Sequence, residues 1–237
     1  YGGEGGWWNI VGNYYKPGPA SSKKNYFVDA YGKYDGKDVG YGTMYLNGNY
    51  HEGDYATAIN ENNWSGVYLH NGTGISNASS WQSYNLLPIA ADDTTPCYTT
   101  THSAAKAFEQ VLSWAGCSHK RDATDKRIAE EARTGTASTK GSNGSKNGII
   151  DSHLDAGGWP TLAATNDEIA SRTDSDGDGI PDAWEQEFGL NKANKGDGNS
   201  YTLDSDARYT NLEIYLHYLV KDIVAEQIKN GAYKKLQ

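Results

Sequence analysis

The chain has 237 residues and a formal net charge of -9 at pH 7, with a pI near 5.1. This length suffices for one large domain, or for a domain with an extension, and for a buried core. Because phosphate groups are bound by clustered Lys and Arg, the charge argues against nucleic acid and anionic membranes as partners, and no apolar run is long enough to span a membrane.

The first 90 or so residues carry short apolar and aromatic runs separated by Gly and Asn, such as WWNIVGNYY and GTMYLNGNY. Each run has the length of a strand and is bounded by turn-forming residues, which predicts β structure. Gly12-Asn13-Tyr14 recurs as Gly48-Asn49-Tyr50, each time after a short apolar run. This recurrence indicates stacked coils, in which asparagine side chains can hydrogen-bond from one coil to the next.

From Thr99 onward the pattern is helical. TTTHSAAKAFEQVLSWAGC places apolar residues at spacings of three and four and stops at Gly116, and ATDKRIAEEAR is a second candidate helix. A final helix is predicted from Tyr209 to about Lys229, where Thr210 and Glu213 form a capping box. We expect its apolar face to dock on the preceding β structure.

The segment DSDGDGIPDAWE has the ligand spacing of an EF-hand loop. Counting from its first residue, Gly179 stands at the sharp turn of position six, and Ile180 at position seven would offer its carbonyl oxygen. The expected carboxylate ligands are Asp174, Asp176, Asp178, Asp182 and Glu185. An oxygen set of this size favours Ca²⁺ over Mg²⁺, whose octahedral shell is smaller.

A second EF-hand loop is not predicted. LDSDARYTNLE contains Asp204 and Asp206, but Arg208 stands where an oxygen donor is needed, and Glu213 already belongs to the capping box. We therefore interpret the loop as a solitary structural calcium site and not as a sensor pair.

The chain has two cysteines, Cys97 and Cys117. If oxidised, they would close a loop of about twenty residues and stabilise the fold by roughly 3 kcal/mol on the loop-entropy model. Two buried free thiols are the alternative, and we predict the disulfide between Cys97 and Cys117.

Several stretches carry a resemblance to a known family. These stretches include, in chain order, YGGEGGWWNIVGNYYKPGPA, TTTHSAAKAFEQVLSWAG, NGIIDSHLDAGGWP and DSDGDGIPDAWEQEFGLN. They resemble, in the same order, the C-terminal half of secreted bacterial pectate lyases of polysaccharide lyase family one. The type that they resemble is found in plant-cell-wall degraders of the gut Bacteroidetes. The resemblance implies an all-β protein, the C-terminal coils of a right-handed parallel β-helix followed by a partly helical extension with the EF-hand-like calcium loop. The implied segments are final coils over 1–95, a helical and extended region over 96–172, and the calcium loop with the terminal helix over 173–237.

The activity implied by the resemblance is calcium-dependent β-elimination of polygalacturonate, with an arginine as base. The family's catalytic arginine lies in an Asn-Ser-Arg-x-Pro-Arg-like stretch, upstream of the part that this chain resembles. No arginine of this chain lies in such a stretch, so we do not expect any of them to be the catalytic base. The arginines are Arg121, Arg127, Arg133, Arg172 and Arg208. The resemblance therefore implies no catalytic residue here, a location that is secreted, periplasmic or at the cell surface, and two partners: pectic polysaccharide and the N-terminal portion of the same enzyme.

Two residues near the start of the chain are candidate substrate contacts, because the resemblance places them just past the active arginine. These are Glu4 and Lys16, and the alternative for Lys16 is an exposed lysine in a turn. The 18 Tyr and 7 Trp against 3 Phe also allow a second interpretation, a non-catalytic carbohydrate-binding or cell-surface module stabilised by calcium.

Overall fold

The computed structural model describes residues 5–22, 24–70, 80–88 and 98–235. The strands are β1 (Trp7–Val11), β2 (Tyr14–Tyr15), β3 (Val28–Tyr31), β4 (Lys33–Tyr34), β5 (Lys37–Asp38), β6 (Thr43–Asn47), β7 (Tyr50–His51), β8 (Val67–His70), β9 (Gln82–Ser83), β10 (Tyr98–Thr101) and β11 (Ala232–Lys235). The helices are α1 (Ala56–Glu61), α2 (Ala104–Trp114), α3 (Ala123–Thr134), α4 (Asn166–Ala170), α5 (Asp182–Phe188) and α6 (Asn211–Ile228). None of them is both long and apolar enough to cross a membrane, within the described ranges.

Packing divides the chain into two units. The first takes its residues from 1–116, 123–159 and 228–237, and the second from 117–122 and 160–227. The strands belong to the first unit and form one three-stranded and four two-stranded sheets within the described residues. β1, β6 and β9 are parallel, as are the pairs β2 with β7 and β3 with β8, whereas β4 with β5 and β10 with β11 are antiparallel.

The prediction of an all-β right-handed parallel β-helix is wrong. The described chain mixes helices with short strands in small sheets and forms no solenoid. Short apolar runs between Gly and Asn specify where strands form, but they do not specify how many strands pair in one direction. Among the described residues each parallel ladder has two or three strands, and the amphipathic segments from Ala104 onward form helices.

The repeated Gly-Asn-Tyr tripeptides do pair with each other. Tyr14 and Tyr50 are partners in the parallel register of β2 and β7. Asn13 donates from Nδ2 to Asn49 Oδ1 at 3.0 Å, and Asn49 Nδ2 lies 3.2 Å from Asn63 Oδ1. The expected hydrogen bond between asparagine side chains is therefore confirmed, although the solenoid is not.

The core of the first unit lies between the parallel strands and α1. Its buried residues are Phe27, Val28, Ala30, Met44, Leu46 and Ile59. Burial of a side chain such as Met44 or Ile59 contributes about 1.5–3 kcal/mol to the free energy of folding.

The helices predicted between Thr99 and Arg133 are confirmed as α2 and α3. Ser103 caps α2 by accepting a hydrogen bond from the Lys106 N–H at 3.3 Å, and the helix buries Ala104 and Leu112. Phe108 of α2 stacks on Tyr14 with 4.4 Å between ring centroids.

In the second unit, α5 and α6 enclose a small core. Its buried residues are Ile180, Trp184 and Tyr215, with Leu212 and Leu219 packed against them. The capping box at the start of α6 is confirmed, because Thr210 N donates to Glu213 Oε2 at 2.8 Å and Glu213 N donates to Thr210 Oγ1 at 3.3 Å. The apolar face of α6 that we expected to cover β strands contributes instead to this core beside α5.

Candidate metal centre

The first half of the predicted calcium loop is folded by Asp174. Its Oδ1 accepts the N–H of Gly177 at 2.7 Å and its Oδ2 accepts the N–H of Gly179 at 2.9 Å. Gly179 has a φ of 99°, which a residue with a Cβ rarely adopts. Burial alone would raise the pKa of Asp174, but these N–H donors hold it below its ordinary value.

Asp182 closes the second half of the loop at the start of α5. Its two oxygens accept the backbone N–H and the hydroxyl of Ser175, both at 2.7 Å. Lys192 lies 3.7 Å from the same carboxylate. The hydrogen bond from the Ser175 hydroxyl is the main cause of the lowered pKa of Asp182. The Asp182 carboxylate is therefore stabilised in its charged form without a metal ion.

Four other carboxylates converge behind the loop. One oxygen from each lies within 4.8 Å of the others, and they come from Asp176, Asp178, Glu185 and Asp197. Asp176 and Asp178 extend from the loop, Glu185 from the first turn of α5, and Asp197 from the segment between α5 and α6. Three separate parts of the second unit therefore bring negative charge to one point.

Five oxygens of this cluster are buried and accept no hydrogen bond from the described residues. They are Asp176 Oδ2, Asp178 Oδ2, both Oε atoms of Glu185 and Asp197 Oδ1. The Glu185 side chain is 0% exposed to solvent. A buried carboxylate without a hydrogen bond or counter-charge is costly, so the arrangement requires a cation or protons.

The electrostatics of the cluster without a cation agree with this conclusion. Burial, followed by the charges of Asp176, Asp178 and Asp197, raises the pKa of Glu185 to about 7. Burial also raises the pKa of Asp178, against the opposing effect of a hydrogen bond from the Ile180 N–H. A divalent cation would remove both effects by supplying positive charge at the point where the oxygens meet.

The predicted ligands therefore divide into two groups. Asp176, Asp178 and Glu185 lie in the cluster, whereas Asp174 and Asp182 lie outside it and accept hydrogen bonds that shape the loop. The Ile180 side chain is buried in the core beside Trp184. Ligation by Asp174, Asp182 and the Ile180 carbonyl stays a prediction.

Asp197 was missed by the sequence reasoning because it lies beyond the EF-hand window. Its Oδ2 accepts the N–H of Asn191 at 2.9 Å, which leaves Oδ1 for the cluster. Gly198 follows it, and a Cβ there would collide with Asp178 Oδ2. The available signal was this Asp-Gly pair in the turn-rich stretch NKGDGNS.

Asn211 holds the Asp197 segment against α6. This residue is 0% exposed, and its Nδ2 lies 2.8 Å from Asp197 O and 2.9 Å from Ser200 Oγ. Its Oδ1 accepts the Leu203 N–H at 3.0 Å. Asn211 thus fixes the backbone on both sides of the turn that presents Asp197.

The donor set fits a hard cation. It consists of carboxylate oxygens with no nitrogen or sulfur ligand, which suits Ca²⁺, Mg²⁺ or Mn²⁺ better than Zn²⁺. Both oxygens of Glu185 are available, so the four residues offer five oxygens, close to the six to eight that Ca²⁺ takes. The remaining positions could be filled by a backbone carbonyl or water.

The Asp204 region shows no comparable arrangement within the described residues. Asp204 accepts three backbone N–H groups, from Asp206, Arg208 and Tyr209, and Asp206 forms an ion pair with Arg208. The side chains are thus satisfied within their own turn.

The remaining site predictions concern the first unit and the cysteines. Lys16 Nζ donates to Arg133 O at 3.0 Å, near the end of α3, and lies 3.3 Å from Glu52 Oε1. It therefore has internal partners, and a substrate contact by Lys16 stays a prediction. Cys117 is exposed. Glu4 and Cys97 lie outside the described residues, so the disulfide also stays a prediction.

Comparison with known proteins finds several similar proteins. A protein named probable pectate lyase C from Neosartorya fischeri is 29% identical over 212 residues, which cover 90% of this chain and 42% of the relative. The chain is thus similar to pectate lyases. A protein of the same name from Aspergillus fumigatus is 29% identical over 219 residues with the same coverage, and one from Aspergillus oryzae is 31% identical over 125 residues, or 53% of this chain and 26% of the relative.

These relatives support the pectate lyase part of the resemblance, and they are fungal proteins. The chain spans about two-fifths of the length of the first two. No protein-family model matches the chain, and no solved structure matches it.

Proposed function

We propose that this chain is the C-terminal, calcium-binding portion of a secreted pectate lyase, of the kind made by bacteria that degrade plant cell walls. The whole enzyme would cleave polygalacturonate by calcium-dependent β-elimination, with its catalytic arginine outside this chain. The part played by this chain is to contribute fold and a structural Ca²⁺ site. Similarity over 90% of the chain to proteins named pectate lyase supports the enzyme class.

One observation carries the calcium proposal. Five buried carboxylate oxygens without hydrogen-bond donors among the described residues meet in the second unit, and Glu185 contributes two of them from a fully buried position. No ordinary folding requirement would concentrate so much unpaired negative charge in one place. A bound Ca²⁺ would neutralise the repulsion between these carboxylates and would hold together the loop, α5 and the segment that contains Asp197.

The geometry favours a structural role for this cation over a catalytic one. The protein oxygens lie within 4.8 Å of one another, and they are buried. A cation that binds a substrate carboxylate needs open coordination positions, as catalytic metal sites generally do. A set of buried ligands drawn from three segments is typical of a site that stabilises a fold.

Two measurements test the proposal. Calorimetric titration of the 237-residue chain with Ca²⁺ is expected to show one site, with Mg²⁺ binding more weakly, and Asp178→Ala is expected to abolish it. The absence of Ca²⁺ binding by the folded chain would refute the calcium site. Separately, the chain alone is expected to release no unsaturated product from polygalacturonate, and a longer protein that includes the upstream sequence is expected to release it.

A non-catalytic, calcium-stabilised carbohydrate-binding or cell-surface module is the second candidate. It is favoured by exposed aromatic side chains, since Trp7 is 64%, Tyr84 77% and Trp159 83% exposed. Aromatic faces are common sites of contact with sugars. Binding of pectic oligosaccharides without turnover, even by the longer protein, would favour this candidate over the lyase.

A further inference from the structure

The second unit contains a groove in addition to the carboxylate cluster. One cavity, of about 810 Å³, is lined by residues 119–122, 161–164 and 168–169 and by Arg172. A smaller cavity, of about 290 Å³, is lined by Arg172 together with Trp184, Glu187, Tyr215 and Tyr218. Because Arg172 lines both, we treat them as one feature, the Arg172 groove. The larger cavity has the size of small-molecule sites in proteins, about 300–1,000 Å³.

The wall of the larger cavity is fixed by an ion pair. Lys120 Nζ lies 2.8 Å from both oxygens of Glu168 and donates to Ala163 O at 3.2 Å. This pair joins the 119–122 segment to the 161–164 segment and is electrically neutral. Of the remaining charged residues in the lining, Arg121 and Arg172 are positive and Asp122 is negative. The larger cavity therefore carries one net positive charge in a chain whose net charge is -9, and Glu187 of the smaller cavity offsets it.

Arg172 is available for a ligand. Its side chain forms no hydrogen bond or ion pair with any residue that the structure describes, and the residue is exposed. A guanidinium group binds a carboxylate through two parallel hydrogen bonds. An unpaired arginine at the junction of two cavities is thus placed to receive a carboxylate.

The smaller cavity offers the contacts that a sugar ring requires. Trp184 and Tyr215 are buried in the core behind this cavity, so the accessible aromatic surface comes from the half-buried Tyr218, and Glu187 supplies acceptors for hydroxyl groups. The indole N–H of Trp184 is buried and has no acceptor among the described residues. Pockets of this kind combine apolar and aromatic walls with a few placed polar groups.

We infer that the Arg172 groove binds a carboxylated oligosaccharide, with a uronate carboxylate on Arg172 and a sugar ring beside Tyr218 and Glu187. The choice of galacturonate as the sugar rests on the proposed pectate lyase function. The groove itself rests on the geometry. It would bind the pectic polymer through the second unit.

The groove is also connected to the carboxylate cluster. Trp184 lines the groove, and the next residue, Glu185, belongs to the cluster. Pro181, which precedes α5, lines the groove as well. A cation that fixes Glu185 would fix this turn of α5, so oligosaccharide affinity is expected to rise when Ca²⁺ is bound.

The test is a calorimetric titration of the 237-residue chain, in Ca²⁺, with trigalacturonate, with neutral galactotriose and with inorganic phosphate. We expect binding of trigalacturonate, with galactotriose at least about tenfold weaker because it lacks the carboxylate that pairs with Arg172, and phosphate at least about tenfold weaker because it lacks the sugar rings. Arg172→Ala is expected to lower trigalacturonate affinity about tenfold or more, and Arg172→Lys less, because lysine keeps the charge but not the paired hydrogen bonds.

The matched control is Arg208→Ala, which removes an exposed arginine of the same unit that pairs with Asp206 outside the groove. It is expected to leave trigalacturonate affinity unchanged, and Arg172→Ala is expected to leave Ca²⁺ affinity unchanged. Equal binding of galactotriose or of phosphate, no binding of trigalacturonate, or an unaltered affinity in Arg172→Ala would each overturn the inference. None of those results would bear on the calcium site. Conversely, an absence of lyase activity in the longer protein would contradict the proposed enzyme class without contradicting oligosaccharide binding in the groove.

Discussion

Glu185 and Asp197 each place a carboxylate oxygen in the same cluster, within 4.8 Å of one another, although Glu185 lies on α5 and Asp197 in the segment that precedes α6. Neither of these oxygens has a hydrogen-bond donor among the described residues. The two side chains repel each other unless positive charge lies between them. A cation at this point would therefore join the loop to α6 through Asp197 and Asn211.

Asp197→Ala tests whether this residue is a ligand beyond the EF-hand window. We expect Ca²⁺ affinity to fall by at least about tenfold, because the site loses both an oxygen and a negative charge. The melting temperature should fall in Ca²⁺ and change little in EDTA. Asp206→Asn is the control, since Asp206 is an exposed aspartate of the same unit outside the cluster. An unaltered Ca²⁺ affinity in Asp197→Ala would show that the cluster does not bind the ion.

The raised pKa of Glu185 predicts an unusual dependence of stability on pH when no cation is bound. Its pKa is about 7 in the folded chain, against an ordinary value of 4.5 for a glutamate in the unfolded chain, so the folded state binds more protons between these two values. The free energy of unfolding in EDTA should therefore decrease as pH rises from about 4.5 to about 7.

Glu185→Gln should remove this part of the pH dependence, because the amide does not ionise. Urea unfolding in EDTA at several pH values measures it, and Glu213→Gln serves as the control for a glutamate outside the cluster. Saturating Ca²⁺ should abolish the decrease in the unsubstituted chain. A free energy of unfolding in EDTA that rises between about pH 4.5 and about pH 7 would contradict the raised pKa of Glu185.

Asn211→Ala is expected to affect both folding and cation binding. Loss of its buried hydrogen bonds, at about 1 kcal/mol each, should lower the free energy of unfolding by roughly 2–4 kcal/mol in EDTA. Because Asn211 positions the backbone of Asp197, Ca²⁺ affinity should also fall, by about 10- to 100-fold. Asn194→Ala, an exposed asparagine of the same segment, is the control. A loss of stability without loss of Ca²⁺ affinity would limit Asn211 to a role in folding.

Asn49→Ala tests the asparagine contacts of the first unit. Asn49 is 4% exposed, accepts from Asn13 and donates to Ile10 O at 2.7 Å. We expect the free energy of unfolding to fall by about 2–3 kcal/mol, with Ca²⁺ affinity unchanged. Asn47→Ala, whose side chain is exposed and bonded to Tyr45 Oη, should cost far less. Equal effects of the two substitutions would show that burial of Asn49 adds no stability.

Sequence reasoning was most successful where the signal is local. The capping box of Thr210 and Glu213, helices α2 and α3, and the contact between the two Gly-Asn-Tyr tripeptides all depend on residues within a few positions or on a direct repeat. It failed for the fold class, because the number of strands that pair in parallel depends on contacts between distant segments. For the same reason the predicted packing partner of the apolar face of α6 was wrong.

What the sequence determined by itself was the position of a candidate cation loop, since the alternation of Asp and Gly from Asp174 to Glu185 supplies both the turns and the oxygens. Which oxygens meet was decided only by the tertiary structure. Asp174 and Asp182 accept hydrogen bonds from their own loop, while Asp197 arrives from a separate segment held by Asn211. A carboxylate's role depends on which donors and charges surround it after folding, and spacing along the chain does not record those neighbours.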